Sequence, residues 1–290
     1  MKRWIIAMLV ATWSLAAHAM SPYVEADKVA GGDLTVAMAD VEKKLTAAGF
    51  RPLGRHTPKG LPQYGVVVVG DAGLQDALNA IGGSAIAASA VRVGVRADGT
   101  VFYTNPEYWA RAYLRGDYTK AEPAVKQVAA KLAGALGAGK PAGGDIKVDD
   151  LANYHYMIGM ERFGDRSELV EAMSFDDEVS AIRTNLAKGV GDTVKVYEIV
   201  VPEKKLAVFG VAMNNADTGE GWWVNKIGAD NIAALPWEIW VVDRKAYALY
   251  GRYRTALGWP ALGMGQFMTI VRHPDTTMQA LEAVAAKRGQ

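Results

Sequence analysis

Residues 91–114 do most to limit the folds open to this chain. Val91, Val93 and Val95 alternate with Arg92, Gly94 and Arg96, the period of a strand with one face buried. Ala97-Asp98-Gly99 follows, and glycine after aspartate supplies the positive φ of a tight hairpin turn. Residues 100–103 read as the return strand. Asn105-Pro106 then opens a helix, with a capping side chain and a proline at the first helical position. Strands joined by such short turns pair antiparallel, and helices must then cover the sheet. The expected class is α+β.

A related stretch, 236–253, returns near the other end and reads as a second hairpin. Around these two hairpins the halves lie over each other in order. Gly49 answers Gly189, Pro58 answers Pro202, and Leu61 answers Leu206. Tyr64-Gly65 lies over Phe209-Gly210, and Val91, Val93 and Val95 over Trp237, Ile239 and Val241. Matching turn and strand residues in fixed order mark an internal repeat. Helical stripes are expected at 34–48, 74–81, 120–136 and 276–287. A further helix follows Ser174-Phe175-Asp176-Asp177, which resembles a capping box. Strands are expected at 51–57, 66–69, 154–163, 195–201 and 206–211. The glycine- and alanine-rich stretch 134–149 reads as a linker between two similar domains, 20–133 and 150–290.

The first nineteen residues are of another kind. Lys2 and Arg3 precede an apolar run, and Ala17-His18-Ala19 fits the small-x-small cleavage pattern of a secretory signal peptide. The expectation is an exported protein, periplasmic or secreted, with no membrane span after cleavage. Cleavage removes two of the 32 basic residues, leaving 30 against 31 acidic ones. That balance gives no electrostatic footprint for nucleic acid. With no cysteine in the chain, disulfides, thiolate metal sites and a cysteine nucleophile are excluded, so stability must come from core burial.

Gly49-Phe50, the aromatic-Gly strands at Tyr64-Gly65 and Phe209-Gly210, and the hairpin ending Tyr103-Thr104-Asn105-Pro106 resemble the domain of unknown function 302 family. Leu235-Pro236 is similar to that family's approach to the same strand. The resemblance implies two tandem, diverged copies of a small α+β fold, with a helix-over-antiparallel-sheet arrangement similar to that of the TATA-binding protein. It implies no catalytic residues. The chain departs from the family pattern where Tyr250-Gly251-Arg252-Tyr253 replaces Tyr-x-Asn-Pro.

No zinc spacing, phosphate loop, dinucleotide fingerprint or Gly-x-Ser-x-Gly motif occurs. The expected function is therefore binding: an exported, non-enzymatic or accessory protein for a small molecule, metal or protein partner. Trp222, Trp223, Tyr250, Arg252 and Arg254 are the candidate ligand-binding residues. The last three share a predicted return strand, with both arginines on one face. One alternative is copper handling, since His155, Met157 and Met160 offer imidazole and thioether ligands suited to copper(I); on a strand, Gly159 would have to supply a bulge to bring Met160 round. Both methionines as core filler is the competing reading. An unrecognised hydrolase is the remaining alternative, and would need a pocket with convergent polar groups.

Overall fold

A computed structural model describes residues 19–286; the signal-peptide expectation falls on residues 1–18, outside the described residues. The fold is α+β, with antiparallel sheets covered by helices. In the first half, strands Arg51–His56, Tyr64–Gly70, Ala90–Arg96 and Val101–Thr104 lie side by side in chain order. Tyr23–Glu25 and Lys140–Ala142 complete this sheet at the far edge. In the second half Thr193–Val201, Leu206–Met213, Trp237–Val242 and Lys245–Ala248 also lie in chain order, with Ser167–Glu171 at the far edge.

Alternation decides which face each residue serves. Val67, Val69, Val91, Val93 and Val95 join one apolar core with Val41 and Leu45 of helix Leu34–Ala47, Leu78 of Ala72–Ile81 and Val128 of Tyr118–Leu136. On the other face, Val66 and Val68 belong to a second core that contains most of the second half. Arg92 and Gly94 share that inner face. The 3₁₀ segment Ala229–Ala234 packs on the first sheet, and another 3₁₀ segment, Gly83–Ala88, packs on the second. Gly94 has no room for a side chain, because a Cβ there would lie 2.6 Å from Ile232. The two halves thus share one buried interface.

Local chemistry explains most element boundaries. Asp33, Asp71 and Asn105 cap their helices through side-chain oxygens that accept backbone N–H bonds. In the first hairpin Asp98 accepts from the Thr100 amide at 3.0 Å while Gly99 takes φ 84°, as the Asp-Gly turn requires.

Three expectations need correction. Residues 154–163 form an irregular loop, not a strand: Met160 N–H donates to the Met157 carbonyl at 3.1 Å across a turn in which Gly159 takes φ 86°. Residues 250–253 do not continue the second hairpin. The strand ends at Ala248 and helix Gly251–Gly258 begins, so Arg252 and Arg254 project from nearly opposite sides of a helix. The 134–149 stretch is built into the fold. Its first residues finish helix Tyr118–Leu136, Lys140–Ala142 pairs with Tyr23–Glu25, and Ile146–Lys147 pairs with Ala19–Met20.

The glycines of that stretch serve close approach and turning. At Gly139, φ is 50° and a Cβ would lie 2.0 Å from the Glu25 carbonyl oxygen. Gly134 sits inside the helix with open space beside it. Gly139→Ala should therefore destabilise the protein by more than about 1 kcal/mol, while Gly134→Ala should stabilise it by about 0.5–1 kcal/mol. Urea unfolding of both variants checks this pair; a flexible linker would leave both midpoints unchanged.

Candidate functional site

The loop 154–163 folds over the helix Gly251–Gly258 and the segment that follows it. Between them lies a pocket of about 220 Å³. Tyr156, Met157 and Met160 form one wall, Met264 and Phe267 another, and Arg252 and Thr255 come from the helix. The Gly159 turn that replaces the expected strand is what brings Met157 and Met160 to the same cavity. Met157 and Met264 are each 47 % exposed, so these thioethers line an opening and do not fill core. Arg252 is exposed at the same pocket and is held by Glu161, with Nη2 2.5 Å from Oε1.

The sequence candidates separate into two groups. Met157, Met160 and Arg252 come together with Met264, Tyr156 and Phe267. His155 is not part of the lining; its Nδ1 lies 3.2 Å from the backbone oxygen of Asn153. Tyr250 and Arg252 border a shallower depression with Asp275 and Glu282. Trp223 is fully buried and stacks on His273 with ring centroids 3.9 Å apart. Trp222 is half-buried, with the Lys226 ammonium 3.9 Å from its ring centroid. Arg254 is buried and belongs to the interface between the halves. Its Nε donates to Glu238 Oε2 at 3.1 Å, and Glu238 also meets Arg92.

One polar pair beside the pocket has the look of nucleophile and base. Thr255 Oγ1 lies 3.0 Å from His273 Nε2, and Thr277 Oγ1 lies 3.0 Å from Nδ1. The hydrogen bonds decide its role. Thr255 donates its only hydroxyl proton to the Gly251 carbonyl at 2.7 Å, so His273 Nε2 must be the donor to Thr255. Nδ1 then accepts from Thr277. Burial holds the imidazole neutral by pushing its pKa down to about 3. A base that weak accepts a proton poorly near neutral pH. The arrangement ties the start of helix His273–Ala285 to helix Gly251–Gly258, and so braces the pocket wall.

Sequence reasoning missed Met264 as a partner of Met157 and Met160, along with Tyr156 and Phe267. The contact spans about a hundred residues, and no local spacing encodes it. Among the described residues no cluster of three or more His, Cys, Asp or Glu side chains could hold a metal ion, and no helix is long and apolar enough to cross a membrane. Comparison with known protein families, with curated proteins and with solved structures returns no match.

The His273 geometry carries a pH prediction. Its folded-state pKa lies below the unfolded value, so the unfolded chain binds the extra proton between about pH 6.5 and 3. Stability from this group is present above pH 6.5 and is lost as pH falls, at up to about 1.4 kcal/mol per pH unit. Urea unfolding at pH 7, 6, 5 and 4 should show that slope in the wild type and a shallower one in His273→Gln. Equal slopes would remove His273 from the account.

Proposed function

We propose that this protein is a binding protein whose site is the methionine-lined pocket, and that its ligand is an apolar small molecule with a polar end near Arg252. The observation that carries the reading is the lining: thioether and aromatic side chains from three segments around a pocket open to solvent, with a single guanidinium among them. Flexible, polarizable methionines suit a site that must fit an apolar shape closely, and mostly apolar concavities with few polar groups are the usual small-molecule sites. We further propose that the chain is exported after removal of its first nineteen residues. The two halves are read as diverged copies of one unit, of the kind the family resemblance implies. Support comes from the same chain-order run of four strands in each sheet, each with one further strand at the far edge.

A second reading has one specific observation in its favour. Three thioethers, Met157, Met160 and Met264, line the same pocket, and thioethers suit copper(I). Among the described residues no cluster of three or more His, Cys, Asp or Glu side chains accompanies these thioethers, so a metal there would rest on sulfur ligands alone.

The two readings separate in one experiment. On the apolar reading, an uncharged fluorescent probe such as N-phenyl-1-naphthylamine binds saturably to the mature protein. Met157→Glu should weaken that binding at least about tenfold, while the variant keeps its unfolding stability within about 1 kcal/mol, as expected at an exposed position. Triple replacement of Met157, Met160 and Met264 by leucine should leave probe binding largely intact. Copper(I) binding, measured by competition against a chromogenic chelator, would reverse the pattern, with tight binding abolished by the leucine replacements. Absence of probe binding by the wild type would contradict the apolar reading.

A further inference from the structure

We infer that a second site, a groove on the first half, binds the oxyanion group of a small molecule carrying a phosphate or carboxylate. The groove has a volume of about 490 Å³. It lies between the end of helix Ala72–Ile81, the turn after helix Pro106–Leu114, and residues 152–166. Two arginines, Arg115 and Arg166, line it.

Both guanidiniums are short of partners. Among the described residues neither lies within ion-pair distance of a carboxylate, whereas Arg55, Arg92, Arg96, Arg111, Arg183, Arg244, Arg252 and Arg254 all do. Arg115 donates from Nε to the Ala152 carbonyl at 3.1 Å, which fixes its side chain and leaves its two terminal nitrogens unassigned. Arg166 lies over the Tyr247 ring at 4.9 Å, and its buried Nε has no hydrogen-bond partner. Among the described residues Asp117 is the one carboxylate lining the groove, and it is engaged by Lys120 at 2.7 Å. Ser84 adds a hydroxyl: its oxygen already accepts from Trp240 Nε1 at 3.0 Å, so its proton is free to donate. Planar guanidinium forks match carboxylate and phosphate oxygens in pairs. Phe163 and Ile81 supply apolar wall for the remainder of the ligand.

Backbone geometry makes the same point independently. Arg115 takes φ 54° and ψ −122°. This is the first central position of a II′-type turn, a conformation dominated by glycine. Holding arginine there stores strain, and such strain gathers at functional sites. Gly116, which follows, could have exchanged places with it at no steric cost.

The comparison within the molecule is also informative. Residues 146 further along the chain line a similar groove: Ile227 stands for Ile81, Asn231 for Ala85, and Ala261 for Arg115. That groove has no arginine in its lining. The fold builds the concavity without charge in one half, so the arginines of the other are not needed to form it.

The test is calorimetric titration of the mature protein with inorganic phosphate and, separately, citrate, at constant ionic strength set with chloride. Saturable binding of at least one is expected. Arg166→Gln and Arg115→Gln should each weaken it about tenfold or more, while Arg51→Gln, outside both pockets, leaves it unchanged. Arg115→Gly relieves the strained φ, so it should lose binding without a lower melting temperature. That result would exclude misfolding as the cause. Binding of phosphate alone would assign the site to phosphate esters, and binding of citrate alone to carboxylates. No saturable binding of either anion, or an affinity unchanged in both glutamine variants, would overturn the proposal.

Discussion

The arrangement depends on one buried contact. Arg92 from the first sheet and Arg254 from helix Gly251–Gly258 both bind the carboxylate of Glu238 in the second sheet, and all three side chains are nearly inaccessible to water. Two guanidiniums against one carboxylate leave an excess positive charge in the core. Trp109 lies under both, 4.6 Å from Arg92 and 4.8 Å from Arg254, and the Ala234 carbonyl accepts from Arg254 Nη2. Neighbouring phenols stay protonated, with Tyr113 pushed up to about 12 by burial. Such a cluster adds little net stability over apolar packing, but losing Glu238 would leave two uncompensated guanidiniums in the interior. Its effect is to fix how the halves meet.

Arg92 pairs with Val68 in the first sheet and Glu238 with Gly210 in the second, so the opposite charges are supplied by different sheets. A second buried contact, His56 with Glu220, crosses the interface as well. Gly221 beside it has no space for a Cβ against the Lys59 carbonyl. With the interface fixed in this way, helix Gly251–Gly258 presents Arg254 inward to the charge cluster and Arg252 outward to the methionine pocket. The same helix therefore joins the interface to the candidate site.

The α+β class, the hairpins and most helix starts were legible in the sequence, because period-two valines, Asp-Gly turns and Asx caps act over a few residues. Short edge strands were not legible. Tyr23–Glu25 and Lys140–Ala142 hold three residues each, too few for any pattern, and they exist only because a neighbouring strand offers pairing partners. The glycines of 137–144 look flexible in sequence and prove to be packed, since sequence does not show what a Cβ would meet. At the site, Met157, Met160 and Arg252 were chosen from their chemistry, yet the reason they converge is a loop and a helix where strands were expected. Arg115 and Arg166 carried no motif at all. They stand out only once the fold brings two arginines without ion pairs to one groove.

The claim that one buried charge contact sets the docking of the halves is tested most directly by a double-mutant cycle on Arg92→Met and Glu238→Gln, followed by equilibrium urea unfolding. Glu238→Gln should lose several kcal/mol, about 3–5, because it leaves two buried guanidiniums unpaired, and Arg92→Met should lose less, because Arg254 still pairs with Glu238. The double variant should recover enough to give a coupling energy above about 1 kcal/mol, with a single transition throughout. Single-variant losses that simply add, to within about 0.5 kcal/mol, would contradict the account.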